Sequence, residues 1–159
     1  MPDNSELPYF LTIIMAMALK IIPLPQSLEY FNPDWVLLVL IYWSLALPER
    51  FGVFNAWVIG LLVDVLTGRL LGQNALIYSL ICYFCVKLHK RIRHYPIVQQ
   101  SLFVFVCLLV GQLIIFWIEN MQASNRLPLM FWFPVLSGTI LWPAVYLVLR
   151  FVRSFWRIV

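Results

Sequence analysis

Long apolar runs separated by short breaks of proline, glycine, asparagine or charge dominate this 159-residue sequence. Six runs stand out, at roughly 8–25, 34–48, 51–67, 73–89, 96–119 and 128–151. About 20 apolar residues cross a bilayer as a helix, and a spanning segment must satisfy its own backbone, which leaves helices or closed barrels. Uninterrupted runs exclude the alternating pattern of a barrel. The pattern predicts an all-α, polytopic membrane protein with six transmembrane helices, built as one integral membrane domain over 1–159. Loops this short cannot form a separate soluble core. The second run is brief: Trp35 to Leu47 spans only about 20 Å as a helix. A re-entrant hairpin made with the third run is the alternative. Asn32, Pro33 and Asp34 favour two spans, because proline and a carboxylate both suit the first turn of a helix.

Composition sharpens this picture. The chain is 63% hydrophobic and 11% charged, against about a quarter charged in soluble domains. Its mean hydropathy is +0.89. Too little charge is present to wet a globule, and no nucleic-acid partner is expected. MPDNSEL at the start carries Asp3 and Glu6 in place of a basic region, so the first run is expected to remain as an anchor. Of the 11 Lys and Arg residues, Arg50, Lys87, Lys90, Arg91, Arg93, Arg150, Arg153 and Arg157 fall on one side of the six-span topology. Only Lys20, Arg69 and Arg126 fall on the other. The positive-inside rule then places both termini in the cytoplasm. The acids Glu29, Asp34, Asp64 and Glu119 lie toward the outer side. Tyr30, Phe31 and Trp35, with Tyr42, Trp43, Trp117, Trp142 and Trp156, mark the interfaces and suggest no ligand.

The stretch DVLTGRLLGQNAL, Asp64 to Leu76, departs from its surroundings. In steps of four, Gly52, Ala56, Gly60, Asp64, Gly68 and Gly72 form a stripe with almost no side chain. Small residues at this spacing let membrane helices approach closely. A carboxylate on that face must point into the bundle and find partners. Candidates are Thr67, Arg69, the amides of the Gly68–Gly72 turn, and Gln112 or Glu119, which share a face of the fifth span. Three readings of Asp64 stay open: a structural cap of the glycine turn, a proton or cation relay, and a general base.

Other features read blandly. Cys82, Cys85 and Cys107 sit among apolar neighbours and behave as small hydrophobes. The cluster KLHKRIRH is a basic loop at 87–95, with Lys87, Lys90, Arg91 and Arg93, that suits anionic membrane lipids or an acidic partner. His89 and His94 lack acidic or cysteine neighbours, and no metal or cofactor is expected. The last span is interrupted by Pro134 and Pro143 with Gly138 between them, which predicts a kink.

Three segments in this order resemble MreD, the rod shape-determining membrane protein family of proteobacterial type: NPDWVLLVLIYWSLALPERFG (Asn32–Gly52), Asp64–Gly68–Gly72, and LWPAVYLVLR (Leu141–Arg150). The motif positions are Asp64, Gly68 and Gly72, flanked by Pro33, Trp35, Trp142 and Pro143. The resemblance implies a non-enzymatic component of the elongation (Rod) machinery of the bacterial inner membrane. It would bind MreC directly and, through it, be linked to MreB, RodA and RodA's partner transpeptidase in side-wall peptidoglycan synthesis. The resemblance also implies a fold similar to the six-helix substrate-binding subunit of energy-coupling-factor transporters. Two functions follow as expectations. One is a scaffold whose small-residue face holds the MreC membrane helix. The other is a small-solute or lipid-binding carrier subunit drawing on Asp64, Gln112 and Glu119. An intramembrane enzyme is disfavoured, because no convergent catalytic pattern is present.

Overall fold

The structure, a computed structural model, describes residues 6–29, 31–68, 70–122 and 129–156. Those residues form seven α-helices and one 3-10 turn. They are α1 (Leu7–Ile21), α2 (Gln26–Glu29), α3 (Trp35–Ala46), α4 (Val53–Thr67), α5 (Gln73–Ile92), α6 (Ile97–Gln122) and α7 (Phe133–Phe155). The 3-10 turn, Leu129–Trp132, leads into α7. Tyr30, Arg69, Arg126 and Arg157, which entered the sequence reading, lie outside the described residues.

Several boundaries differ from those expected, each for a local reason. The first run stops as a helix at Ile21 and not near 25. Pro23 and Pro25 follow, and a proline disfavours helical backbone in the residue before it. α5 continues to Ile92, so Lys87, Lys90 and Arg91 lie on its last turns and not in a loop. Cations there face the negative end of the helix dipole. α7 is continuous from Phe133, with Pro134 in its first turn, where a missing N–H costs nothing. Only Pro143 lies inside that helix.

α3 is the axle of the bundle. Asp34 caps it by accepting a hydrogen bond from the Leu37 N–H at 3.2 Å. Every residue from Val36 to Ala46 is buried. A helix apolar all round has no solvent face to offer and belongs in a protein core or in lipid; here the neighbouring helices cover it. α1, α5 and α7 surround it, α4 packs chiefly on α5, and α6 lies against α5 and α7. Because α3 is sheathed by longer helices, its 12 residues need not match a bilayer by themselves.

The outside of the bundle is the reverse of a soluble protein's. Phe54 and Phe151 are 70% exposed and Ile140 76%. Exposed apolar residues run over α1, α4, α6 and α7, and a contiguous surface of this kind marks contact with lipid or protein. Two helices, α6 and α7, are individually long and apolar enough to cross a membrane.

Six helices run alternately between two ends. At one end, α3 and α5 finish, α6 begins and α7 finishes; Arg93 there donates to the Ala46 carbonyl. We call this the basic end. At the other, Asp34 opens α3 and α4 hands over to α5. This is the turn end.

Candidate functional site

At the turn end, Asp64 is 1% exposed and accepts hydrogen bonds from the backbone of the following helix. The Gly72 N–H reaches Asp64 Oδ2 at 2.9 Å, the Asn74 N–H reaches Oδ1 at 2.9 Å, and the Ala75 N–H makes a longer contact at 3.4 Å. The first amides of a helix have no partner within it. An N-cap side chain normally serves them. Gly72, at the N-cap of α5, has none, and Asp64 reaches across from α4 to do that work.

The glycines make this reach possible. Gly68 ends α4 at φ +68°, with its N–H donating to the Asp64 carbonyl, and Gly72 opens α5 at φ +98°. Both lie in the left-handed region that L side chains disfavour. Gly60 has a different job. A Cβ there would sit 2.4 Å from Ala75 Cα, so α4 and α5 touch backbone to backbone one turn below the carboxylate. Gly60, with fully buried Ala56, is therefore covered within the fold and presents no open face to a partner helix, whereas Gly52, Gly68 and Gly72 have open space beside them. Of the partners expected for Asp64 among the described residues, the Gly72 amide of the turn holds it, and its other donors, the Asn74 and Ala75 amides, belong to the start of α5. Thr67 donates to the Val63 carbonyl, and Gln112 donates to the Phe131 carbonyl at 2.7 Å.

Beside this turn lies a cavity of about 460 Å³ lined by Lys20, Glu29, Asn32, Pro33, Asp34 and Gln112, among others. Lys20 Nζ and Asp34 Oδ2 form an ion pair at 3.3 Å. The Tyr78 hydroxyl donates to Asp34 at 2.9 Å and receives a bond from Lys20 at 3.1 Å. Three helices, α1, α3 and α5, are thus tied by one polar knot. Sequence reasoning missed it, although Lys20 closing one apolar run and Asp34 opening the next was a usable signal. Glu119 is half-buried on α6 and lines neither this cavity nor the one at the basic end.

The flanking motif residues serve packing. Pro33 is buried and lies 3.5 Å from where a Gly138 Cβ would be. Trp35 donates its indole N–H to Asn32 Oδ1 at 2.8 Å. Trp142 is fully buried, and Pro143 is half-buried beside it. The three cysteines are buried: Cys82 Sγ lies 3.1 Å from Ser44 Oγ, and Cys85 meets Cys107 across α5 and α6.

At the basic end, Lys87, Lys90 and Arg91 are exposed, with the Lys87 ammonium 5.9 Å from the Tyr83 ring centroid. Arg93 turns inward toward α3. It joins Arg150 and Arg153 around a second cavity, of about 270 Å³.

A third depression, about 260 Å³, is an apolar groove on the side of the bundle. α3 forms its floor through Trp35 and Val39, and α1 and α7 form its walls through Met15, Ala16, Ala144 and Val148.

The family model described as rod shape-determining protein MreD matches residues 4–152. The rod shape-determining protein MreD of Haemophilus influenzae is 31% identical over 143 residues, covering 88% of this chain and 86% of that protein. No solved structure matches the chain. The family match spans all three of the segments quoted above, and this chain belongs to the MreD family of membrane-associated, rod shape-determining proteins.

Proposed function

We propose that this protein is a six-span, non-enzymatic scaffold of the inner membrane that binds MreC and supports side-wall peptidoglycan synthesis, with both termini cytoplasmic. Family membership supports a role in shape determination. The observation that carries the binding role is the groove between α1, α3 and α7. Its lining is apolar apart from Thr12, and Ala16 and Ala144 keep it open. In lipid, association of helices rests on close packing at small residues, and a groove of this kind receives a membrane helix side-on. This replaces the glycine stripe as the partner surface, since α5 already covers Gly60. MreB, RodA and its transpeptidase then follow through MreC.

The test is co-purification of MreC, membrane helix intact, from detergent-solubilised membranes. Wild type should retain MreC, and Ala144→Trp, which fills the groove, should lose it while eluting as a folded protein. Failure of wild type to retain MreC overturns the reading.

One observation favours a second reading, a small-solute carrier subunit. The turn-end cavity combines Lys20, Glu29, Asn32, Asp34 and Gln112 in a volume suited to a small polar molecule. The same purified material decides it. A reproducible solute bound after gentle extraction, and lost with Lys20→Met, would support that reading; none retained would end it.

A further inference from the structure

The basic end holds a feature that neither function uses. Its cavity of about 270 Å³ is lined by Tyr42, Arg93, Gln100, Trp142, Arg150 and Arg153, among others. Three guanidinium groups converge there, and the lining includes no acid. They come from the end of α5 and the last turns of α7, so the fold assembles them and the sequence spacing does not. Arg93 donates to the Ala46 carbonyl, and Arg153 is engaged with the Tyr42 hydroxyl. Those bonds hold the Arg93 and Arg153 guanidinium groups. A guanidinium has five N–H donors in a planar fork.

Two buried polar atoms on residues that line this cavity have no partner among the described residues. Trp142 is fully buried, and its Nε1 donor is unmatched. Gln100 is 5% exposed. Its Nε2 donates to the Ile92 and Tyr95 carbonyls, which leaves Oε1 without a donor. Both residues line the cavity. Buried polar groups are almost always satisfied, so an orphaned donor and an orphaned acceptor beside three arginines point to a missing ligand. The set is specific in chemistry: strong donors suit a phosphate, and one acceptor suits a hydroxyl near it.

We propose that this cavity binds the phosphodiester headgroup of an anionic, hydroxyl-bearing membrane lipid of the phosphatidylglycerol type. The phosphate meets Arg93, Arg150 and Arg153, and a headgroup hydroxyl donates to Gln100 Oε1. Arginine suits this task because its planar fork pairs with two phosphate oxygens at once. Basic pockets between membrane helices take anionic headgroups in this way. The site differs from the exposed Lys87, Lys90 and Arg91 patch, whose attraction to anionic lipid is diffuse.

The test uses the full-length protein in neutral detergent, titrated with short-chain phosphatidylglycerol or phosphatidylcholine and read by native mass spectrometry. Phosphatidylglycerol should bind saturably and phosphatidylcholine weakly. Arg150→Gln, at an exposed position that packing does not need, should weaken the first by about tenfold. Arg91→Gln removes the same charge outside the cavity and should leave binding within about twofold. Trp142→Phe, which removes the Nε1 donor and keeps an aromatic ring, should weaken binding, and Gln100→Glu should weaken it further by placing a carboxylate against the phosphate. Competition by inorganic phosphate alone, with no preference for the lipid, would reassign the site to a free anion and overturn the lipid proposal. Equal losses for Arg150→Gln and Arg91→Gln, or equal binding of both lipids, would overturn it outright.

Discussion

Asp64 works in this fold as a cap borrowed by one helix from another. Two amide bonds at 2.9 Å and a longer one bring its carboxylate to the open start of α5. In a low-dielectric surrounding an unpartnered amide is expensive, and a hydrogen bond to a charged group contributes about 1.5–3 kcal/mol. Asp64→Asn keeps one acceptor oxygen and turns an amide nitrogen against the remaining donors. It should lower the stability of the purified protein by about 2 kcal/mol, seen as a lower midpoint of heat-induced aggregation in detergent. An unchanged midpoint, with activity in shape maintenance lost, would return Asp64 to the relay or catalytic readings. Much of this residue was legible in sequence. A carboxylate four residues before one glycine and eight before another, at the end of an apolar run, already suggested turn amides as partners. The Lys20–Asp34–Tyr78 knot was not legible, because it joins three helices whose adjacency only the fold decides.

Among the elements, the α4–α5 pair is the most closely joined. Gly60 allows its backbones to touch, and a single methyl there would sit 2.4 Å from Ala75 Cα. Gly60→Ala should cost about 1–3 kcal/mol, as overpacked sites do. Gly52→Ala, with nothing within 4 Å of the added carbon, should stay within about 0.5 kcal/mol of wild type. Parallel thermal-shift curves of the two variants check this, and equal shifts would show that the close approach is not what holds the pair. The stripe of small residues was visible in the sequence, but its owner was not. Spacing tells that a backbone comes near, while only packing tells whether it is the chain's own or a partner's. Helix ends were read less well for a related reason. Pro23 and Pro25 ended α1 early, and the basic turns of α5 stayed helical because cations favour the end of a helix.

Across the whole molecule, a buried axle, α3, is ringed by helices whose outward faces are apolar and whose polar groups gather at two ends. The unbroken apolar sequence of α3 marked it as a helix kept from water but not as the centre of the bundle, since lipid suits such a helix as well as a protein core does. The groove was not legible either, because it needs α1 and α7 brought side by side across most of the chain's length. That groove, and not the glycine turn, is where this account places the MreC membrane helix. Photo-crosslinking from single introduced residues tests the placement most directly, with a photoreactive amino acid at Val148 in the groove or at Val65 on the exposed face of α4. Val148 is 62% exposed and Val65 68%, so both are equally open to a neighbour. A crosslink to MreC from position 148 and none from 65 is the expected result. A crosslink from 65 with none from 148 would move the partner to the α4 face and contradict the account.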